Sequence, residues 1–222
     1  MIIGDKASNQ SRDRFWSEPA PWLILIATLL FLLAGPAQPD LVYDRIAIAN
    51  GEIWRLFTGH LVHSDLAHLI WDCAGLWLVG WLFDELLSGI SWRVLGAGLL
   101  LVDATLWWLL PDIQAYCGLS GLINAFLGAG LFRTWLQSQD PWIVFIASLV
   151  TLKIGIEWFI GAALFTQTAW PSLPQSHAAG MISGLLVILI SAIQPSSHPA
   201  IQPSSHPAIQ PSSHPAIQPS RE

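Results

Sequence analysis

The chain has 222 residues, of which 53% are apolar and only 11% charged, with 13 tryptophans and a formal net charge of −6. Soluble domains carry roughly a quarter charged residues, so this composition cannot clothe a water-facing surface and points to a membrane protein. The negative balance leaves nothing to neutralise a run of phosphates, which excludes a nucleic-acid binder.

Hydropathy predicts six spans, near 20–36, 66–87, 92–110, 119–136, 141–161 and 174–193. The fold class expected is therefore all-α, a polytopic six-helix membrane core over 20–193. Tryptophans gather near the proposed span ends, among them Trp16, Trp22, Trp92, Trp107, Trp108, Trp142 and Trp170, where an aromatic belt belongs. Residues 1–19 precede the first span and carry Lys6, Arg12 and Arg14. With that segment in the cytoplasm, Arg93, Arg133 and Arg221 fall on the same side, and only Arg45 and Arg55 fall outside, so the positive-inside rule selects a cytoplasmic N-terminus. The first span has a second reading as a signal peptide, with small residues around Gly35-Pro36-Ala37.

The outer loop from Gln38 to Asp65 carries Trp54, Leu56, Phe57 and Leu61 with few charges, which suits a segment lying in the interface. After Ile193, Gln-Pro-Ser-Ser-His-Pro-Ala-Ile repeats with a period of eight, and proline this dense forms neither helix nor core. Residues 194–222 are thus expected to be a disordered cytoplasmic tail, in which His198, His206 and His214 recur because the repeat does.

Chemistry concentrates at three places. Gly118-Leu119-Ser120-Gly121 opens the fourth span, where Ser120 is either a nucleophile or a serine bonded to its own helix. His177 lies about one turn inside the sixth span, and an ionisable residue there is a functional candidate by default. Gly180 and Gly184 form a small-residue stripe beside it, and Gly121, Ala125 and Gly128 form another beside Ser120. If these faces pack, Ser120 and His177 meet at one depth and the serine has an adjacent base. No acidic third member is evident beside His177, which predicts a dyad. The third place holds His60, His63, Asp65, His68 and Asp72, with His68 and Asp72 on one helix face. Three readings stand there. His68 and the N–H groups opening the fourth span could support an oxyanion; the histidines with Asp65 or Asp72 could hold zinc; or the histidines are satisfied by backbone carbonyls.

Together the Gly-x-Ser-Gly opening of span four, His177-x-x-Gly180-x-x-x-Gly184 in span six and His63-x-x-x-x-His68 at span two resemble the rhomboid intramembrane serine proteases over Gly51 to Ile193. The resemblance implies that Ser120 is the nucleophile, His177 the base and His68 an oxyanion donor. The family has an asparagine where this chain has Asp72, which weakens the carry-over of oxyanion support to that residue. It also implies no cofactor or metal, a membrane-anchored protein substrate within the lipid bilayer, and a site toward the periplasmic side of a bacterial inner membrane. Gly51 to His60, Tyr116 to Gly121 and Lys153 to Trp158 are similar to the rhombosortase subgroup, which implies substrates with a C-terminal Gly-Gly sorting tail. Asp72 keeps open an inactive, helix-binding relative as the alternative, beside a metal-dependent hydrolase.

Two pairs remain. Cys73 and Cys117 are too few for a disulfide scaffold, although a bridge between them would suit an oxidising periplasm. Lys153 and Glu157, one turn apart in span five, read either as a neutralised ion pair fixing that helix or as a polar face meeting the substrate.

Overall fold

The computed structural model describes residues 17–193. Lys6, Arg12, Arg14, Trp16, Arg221 and the octapeptide tail lie outside the described residues. The chain is mostly helical, with α1 Pro19–Ala34, α2 Arg45–Ala49, α3 Arg55–Thr58, α4 Leu66–Leu87, α5 Ser91–Ala104, α6 Ser120–Ser138, α7 Pro141–Ile160 and α8 Pro174–Ile193. A five-residue π turn, Thr105–Leu109, extends α5. Among the described residues, four helical stretches are long and apolar enough to cross a bilayer: α4, Ser91–Leu109, α7 and α8. Helix α1 is apolar but has 16 residues.

Boundaries follow local chemistry. Asp44 caps α2 by accepting the Ala47 N–H, Asp65 caps α4 by accepting that of His68, and Asp140 caps α7 by accepting that of Trp142. Pro141 occupies the first turn of α7, where its missing N–H costs nothing. Gly161 ends α7 in the left-handed region at φ +69°, and its N–H returns to the Glu157 carbonyl.

Helix α6 is the enclosed element. It packs most extensively against α8, and also against α4 and α5. Leu122, Ala125 and Ala129 on it are completely buried, as is Leu119 just before it. The outer helices instead turn large apolar side chains outward, such as Leu33, Leu100 and Phe159, the pattern of a bundle solvated by lipid. The small residues of α6 and α8 explain the close contact. A Cβ added at Gly180 would overlap the Gly121 carbonyl oxygen, and one at Gly184 would overlap that of Ala125. Backbone meets backbone at both points.

The outer segment is folded onto the bundle. Tyr43–Asp44 (β1) pairs antiparallel with Ala115–Tyr116 (β2), tying the loop after α1 to the approach to α6. Its two arginines are consumed locally. Arg45 donates to the carbonyls of Leu106, Trp107, Leu110 and Ile113, satisfying acceptors that the π turn and its exit leave open. Arg55 donates to the carbonyls of Pro39 and Val42 and pairs with Glu52 at 2.7 Å. Ile46, Ile53, Trp54 and Phe57 of this segment are exposed, an apolar surface suited to the interfacial position expected of it.

Both cysteines are free. Cys117 is buried, and burial, with the Asp72 carboxylate adding to it, pushes its thiol up to about 12. Unfolded protein alkylated without reductant should therefore gain two adducts, whereas in folded protein at neutral pH Cys117 should react far more slowly than a free thiol. A mass of one internal bridge, or equal labelling of Cys117 in both states, would contradict this arrangement.

Candidate active site

The contact between α6 and α8 brings Ser120 to His177. Ser120 starts α6 and His177 lies in the first turn of α8, with Oγ and Nε2 2.9 Å apart. His177 is buried, whereas Ser120 is partly open to a cleft of about 150 Å³ that also reaches His68, Trp71, Tyr116 and Trp170. A hydroxyl hydrogen-bonded to an imidazole, facing an open cleft, is the geometry by which a base can withdraw the serine proton. A larger cavity of about 520 Å³ lies at the other end of α4, lined by Trp77, Trp81 and Phe126, and no histidine is among its lining residues.

The turn that presents Ser120 depends on Gly118. Its φ is +114°, which L side chains rarely adopt, and an added Cβ would lie 2.6 Å from His68 Nε2 and 3.1 Å from Asp72 Oδ2. The Gly118 N–H donates to the Gly59 carbonyl, and the Tyr116 hydroxyl donates to the Gly118 carbonyl. Burial pushes the Tyr116 hydroxyl pKa up, so it stays protonated as a donor. The Leu119 N–H donates to Asp72 Oδ2 at 2.7 Å.

Asp72 is thereby committed. The same Oδ2 is 3.1 Å from His63 Nε2 and 3.4 Å from His68 Nε2. A carboxylate so engaged ties the turn before Ser120 to α4 and to the two histidines. His68 stays at the site, with Nε2 against Gly118 and Nδ1 3.1 Å from Ser64 Oγ. The three outer histidines do not converge as zinc ligands would. His60 turns to Asp103 on α5, at 3.2 Å, while His63 and His68 share Asp72. Among the described residues, no group of three or more His, Cys, Asp or Glu side chains is placed to hold a metal ion.

Spacing around His177 did not reveal Glu157. This carboxylate, 1% exposed, reaches across from α7 to place Oε2 3.8 Å from His177 Nδ1. The same Oε2 pairs with Lys153 Nζ at 2.8 Å, and Oε1 accepts the Leu164 N–H at 2.9 Å. The available signal was the acid itself, rare in the middle of an apolar span. Asp103, another acid within a helix, was likewise recognisable only by that rarity.

Asp65 ties the rim of the cleft. Besides capping α4, its Oδ2 accepts the Ala169 N–H at 2.6 Å, fastening the loop between α7 and α8 to the start of α4. Burial works to raise its pKa, but the Ala169 and His68 N–H groups and the Ser64 hydroxyl outweigh that and hold it below the usual carboxylate range. A depressed folded pKa contributes stability at neutral pH, and this is lost as pH falls through the ordinary carboxylate value toward the lower one. Protease sensitivity of residues 161–173 should accordingly rise only below about pH 4 in the wild type. In Asp65→Ala the same cleavage should appear at neutral pH, with loss of the cap costing about 1 kcal/mol. Equal protection of wild type and variant at neutral pH would rule out the latch.

A bundle with several helices able to span a bilayer defines a multi-pass membrane protein, and the serine and histidine on two of its tightly packed helices direct attention to the intramembrane peptidases. The Rhomboid domain profile matches residues 50–194, and the chain belongs to the rhomboid family. It is 24% identical over 189 residues to proteins described as rhomboid protease GlpG from Salmonella choleraesuis (strain SC-B67), Salmonella newport (strain SL254) and Salmonella typhimurium (strain LT2). These alignments cover 79% of this chain and 64% of each relative, so the chain spans somewhat less than two thirds of the length of the curated relatives it matches.

Proposed function

We propose that this protein is a serine endopeptidase that cleaves membrane-anchored protein substrates, with Ser120 as nucleophile and His177 as base. The observation that carries the reading is the 2.9 Å contact between Ser120 Oγ and His177 Nε2 at an open cleft. His177 takes the hydroxyl proton as Ser120 attacks the scissile carbonyl. The tetrahedral oxyanion is met by the Ser120 N–H and by His68, and collapse expels the amine, which His177 protonates. Water then resolves the acyl-enzyme by the same route. Asp72 holds the Gly118–Ser120 turn in place throughout.

The membrane arrangement belongs to this reading: six spans over 20–193, a cytoplasmic segment 1–19 and a cytoplasmic repeat tail 194–222. The site then faces the periplasmic side of the inner membrane. The positive-inside count supports it, and the binding of Arg45 and Arg55 to carbonyls explains how two arginines stand on the outer side. The stretches similar to rhombosortases, Gly51 to His60 and Lys153 to Trp158, support a substrate with a Gly-Gly sorting tail.

A fluorophosphonate probe applied to the detergent-solubilised full chain should label Ser120, and His177→Ala should suppress the labelling. Peptide mapping that finds the adduct elsewhere, or undiminished labelling in His177→Ala, would sink the proposal. For the subgroup, one anchored reporter carrying Gly-Gly at the junction should be cleaved faster than its Leu-Leu counterpart. Equal cleavage removes the sorting-tail assignment and leaves the peptidase.

A further inference from the structure

We propose that Glu157 is a positioning residue for His177, holding its ring and its Nδ1–H tautomer so that Nε2 stays free to take the Ser120 proton. The inference rests on the Ser120–His177 reading and adds a third member to it.

For Nε2 to accept the serine proton, the single hydrogen of a neutral imidazole must sit on Nδ1. That hydrogen then needs an acceptor, because Nδ1 of His177 is sealed from solvent and has no hydrogen-bond partner among the described residues. The polar atom facing it is Glu157 Oε2, 3.8 Å away. Oε2 is itself buried and accepts no aligned hydrogen bond, although the Lys153 ammonium pairs with it at 2.8 Å. Two buried atoms of complementary character, one of them ion-paired, thus face each other across slightly more than hydrogen-bond distance. Catalytic hydrogen bonds are commonly long until substrate engages, and closure here requires a shift of less than about 1 Å.

The carboxylate is built for the task. Oε1 is fixed by the Leu164 N–H, which aims the group from the loop beyond Gly161, and Lys153 one turn earlier balances its charge. When His177 becomes an imidazolium, the same carboxylate stabilises it, as the acidic member of a serine-protease triad does. An ion pair serving only the helix would have no reason to bring its carboxylate toward the base.

The test uses the full chain in detergent, with fluorophosphonate labelling of Ser120 as the rate, so that no substrate need be known. Glu157→Gln should slow labelling by about 10²-fold or more, since replacing the acid of a triad by its amide favours the wrong tautomer. Glu157→Asp should recover part of that loss, and Lys153→Met should label at least about tenfold faster than Glu157→Gln, since the acceptor for Nδ1–H remains. A purely structural pair gives the reverse order, because Lys153→Met strands a buried carboxylate while Glu157→Gln leaves no buried anion. Nitrogen-15 NMR of histidine-labelled wild type supplies a measurement independent of variant folding. A hydrogen-bonded Nδ1–H on His177 supports the assignment, and a proton resident on Nε2 overturns it. Wild-type labelling in Glu157→Gln, with Ser120→Ala unlabelled, would overturn the role of Glu157 alone. Labelling retained in Ser120→Ala would overturn the underlying reading and this inference with it.

Discussion

Replacing Ser120 with alanine is expected to lower cleavage of a membrane-anchored substrate by about 10⁴-fold or more, the scale on which loss of a serine nucleophile is felt in other hydrolases. The protein should remain folded. The Ser120 side chain lines an open cleft, and its hydroxyl bonds to His177 across the space that substrate must enter. Its removal breaks no link in the turn, which is held by the Gly118 and Leu119 N–H groups. Little cavity is left, so the thermal midpoint in detergent should move by no more than a few degrees. The informative comparison is activity against midpoint in one preparation. A variant that keeps a tenth of wild-type turnover would show that Ser120 is not the nucleophile, and one that loses activity together with its fold would call for probe labelling instead.

Substituting leucine at Gly180 or Gly184 should inactivate the protein without touching either reacting side chain. Even a methyl group at these positions meets a carbonyl oxygen of the facing helix, and a carbonyl within a helix cannot swing aside as a flexible side chain can. Helices α6 and α8 must then separate. Overpacking of this kind typically costs about 1–3 kcal/mol, which a bundle can survive. The site is less tolerant, since a displacement of about 1 Å between reacting groups costs about 10²-fold in rate. Labelling of Ser120 should fall at least that far in both variants, and Gly184→Ala should already show part of the effect. Gly96, whose added Cβ would meet nothing within 4 Å, is the internal control, and Gly96→Ala should label like wild type. Normal labelling in both leucine variants would mean that the helices can repack without disturbing the pair.

Much of the helical framework could be read directly because its signals are local. Helices α4 and α8 occupy the ranges that hydropathy indicates, bounded by the Asp65 cap and by Pro174. The facing stripes of small residues pointed to the α6–α8 contact, since such stripes have few uses in an apolar helix other than close approach. What escaped was set by tertiary structure. The π turn at Thr105–Leu109 has no distinctive pattern in Thr-Leu-Trp-Trp-Leu, and its carbonyls are satisfied by Arg45, far away in the chain. The pairing of His63 with Asp72 spans a helix cap and obeys no helical period. Glu157 and His177 lie on different helices separated by a loop, so reading along one helix shows Lys153 as the partner and leaves the histidine unseen.

The enclosure of α6 has a consequence for synthesis. This helix is absent from the set apolar enough to hold a place in lipid by itself, and its buried face, glycine, alanine and leucine with Phe126, finds its partners on α4, α5 and α8. The ribosome delivers α4 and α5 first but α8 last, so a chain paused after Ser138 has a serine-bearing helix with its main wall still missing. Until that wall arrives, the helix exposes its backbone along the Gly121–Ala125–Gly128 stripe, and Ser120 has no base beside it. The step that completes the packing of α6 is thus the same step that brings His177 to Ser120.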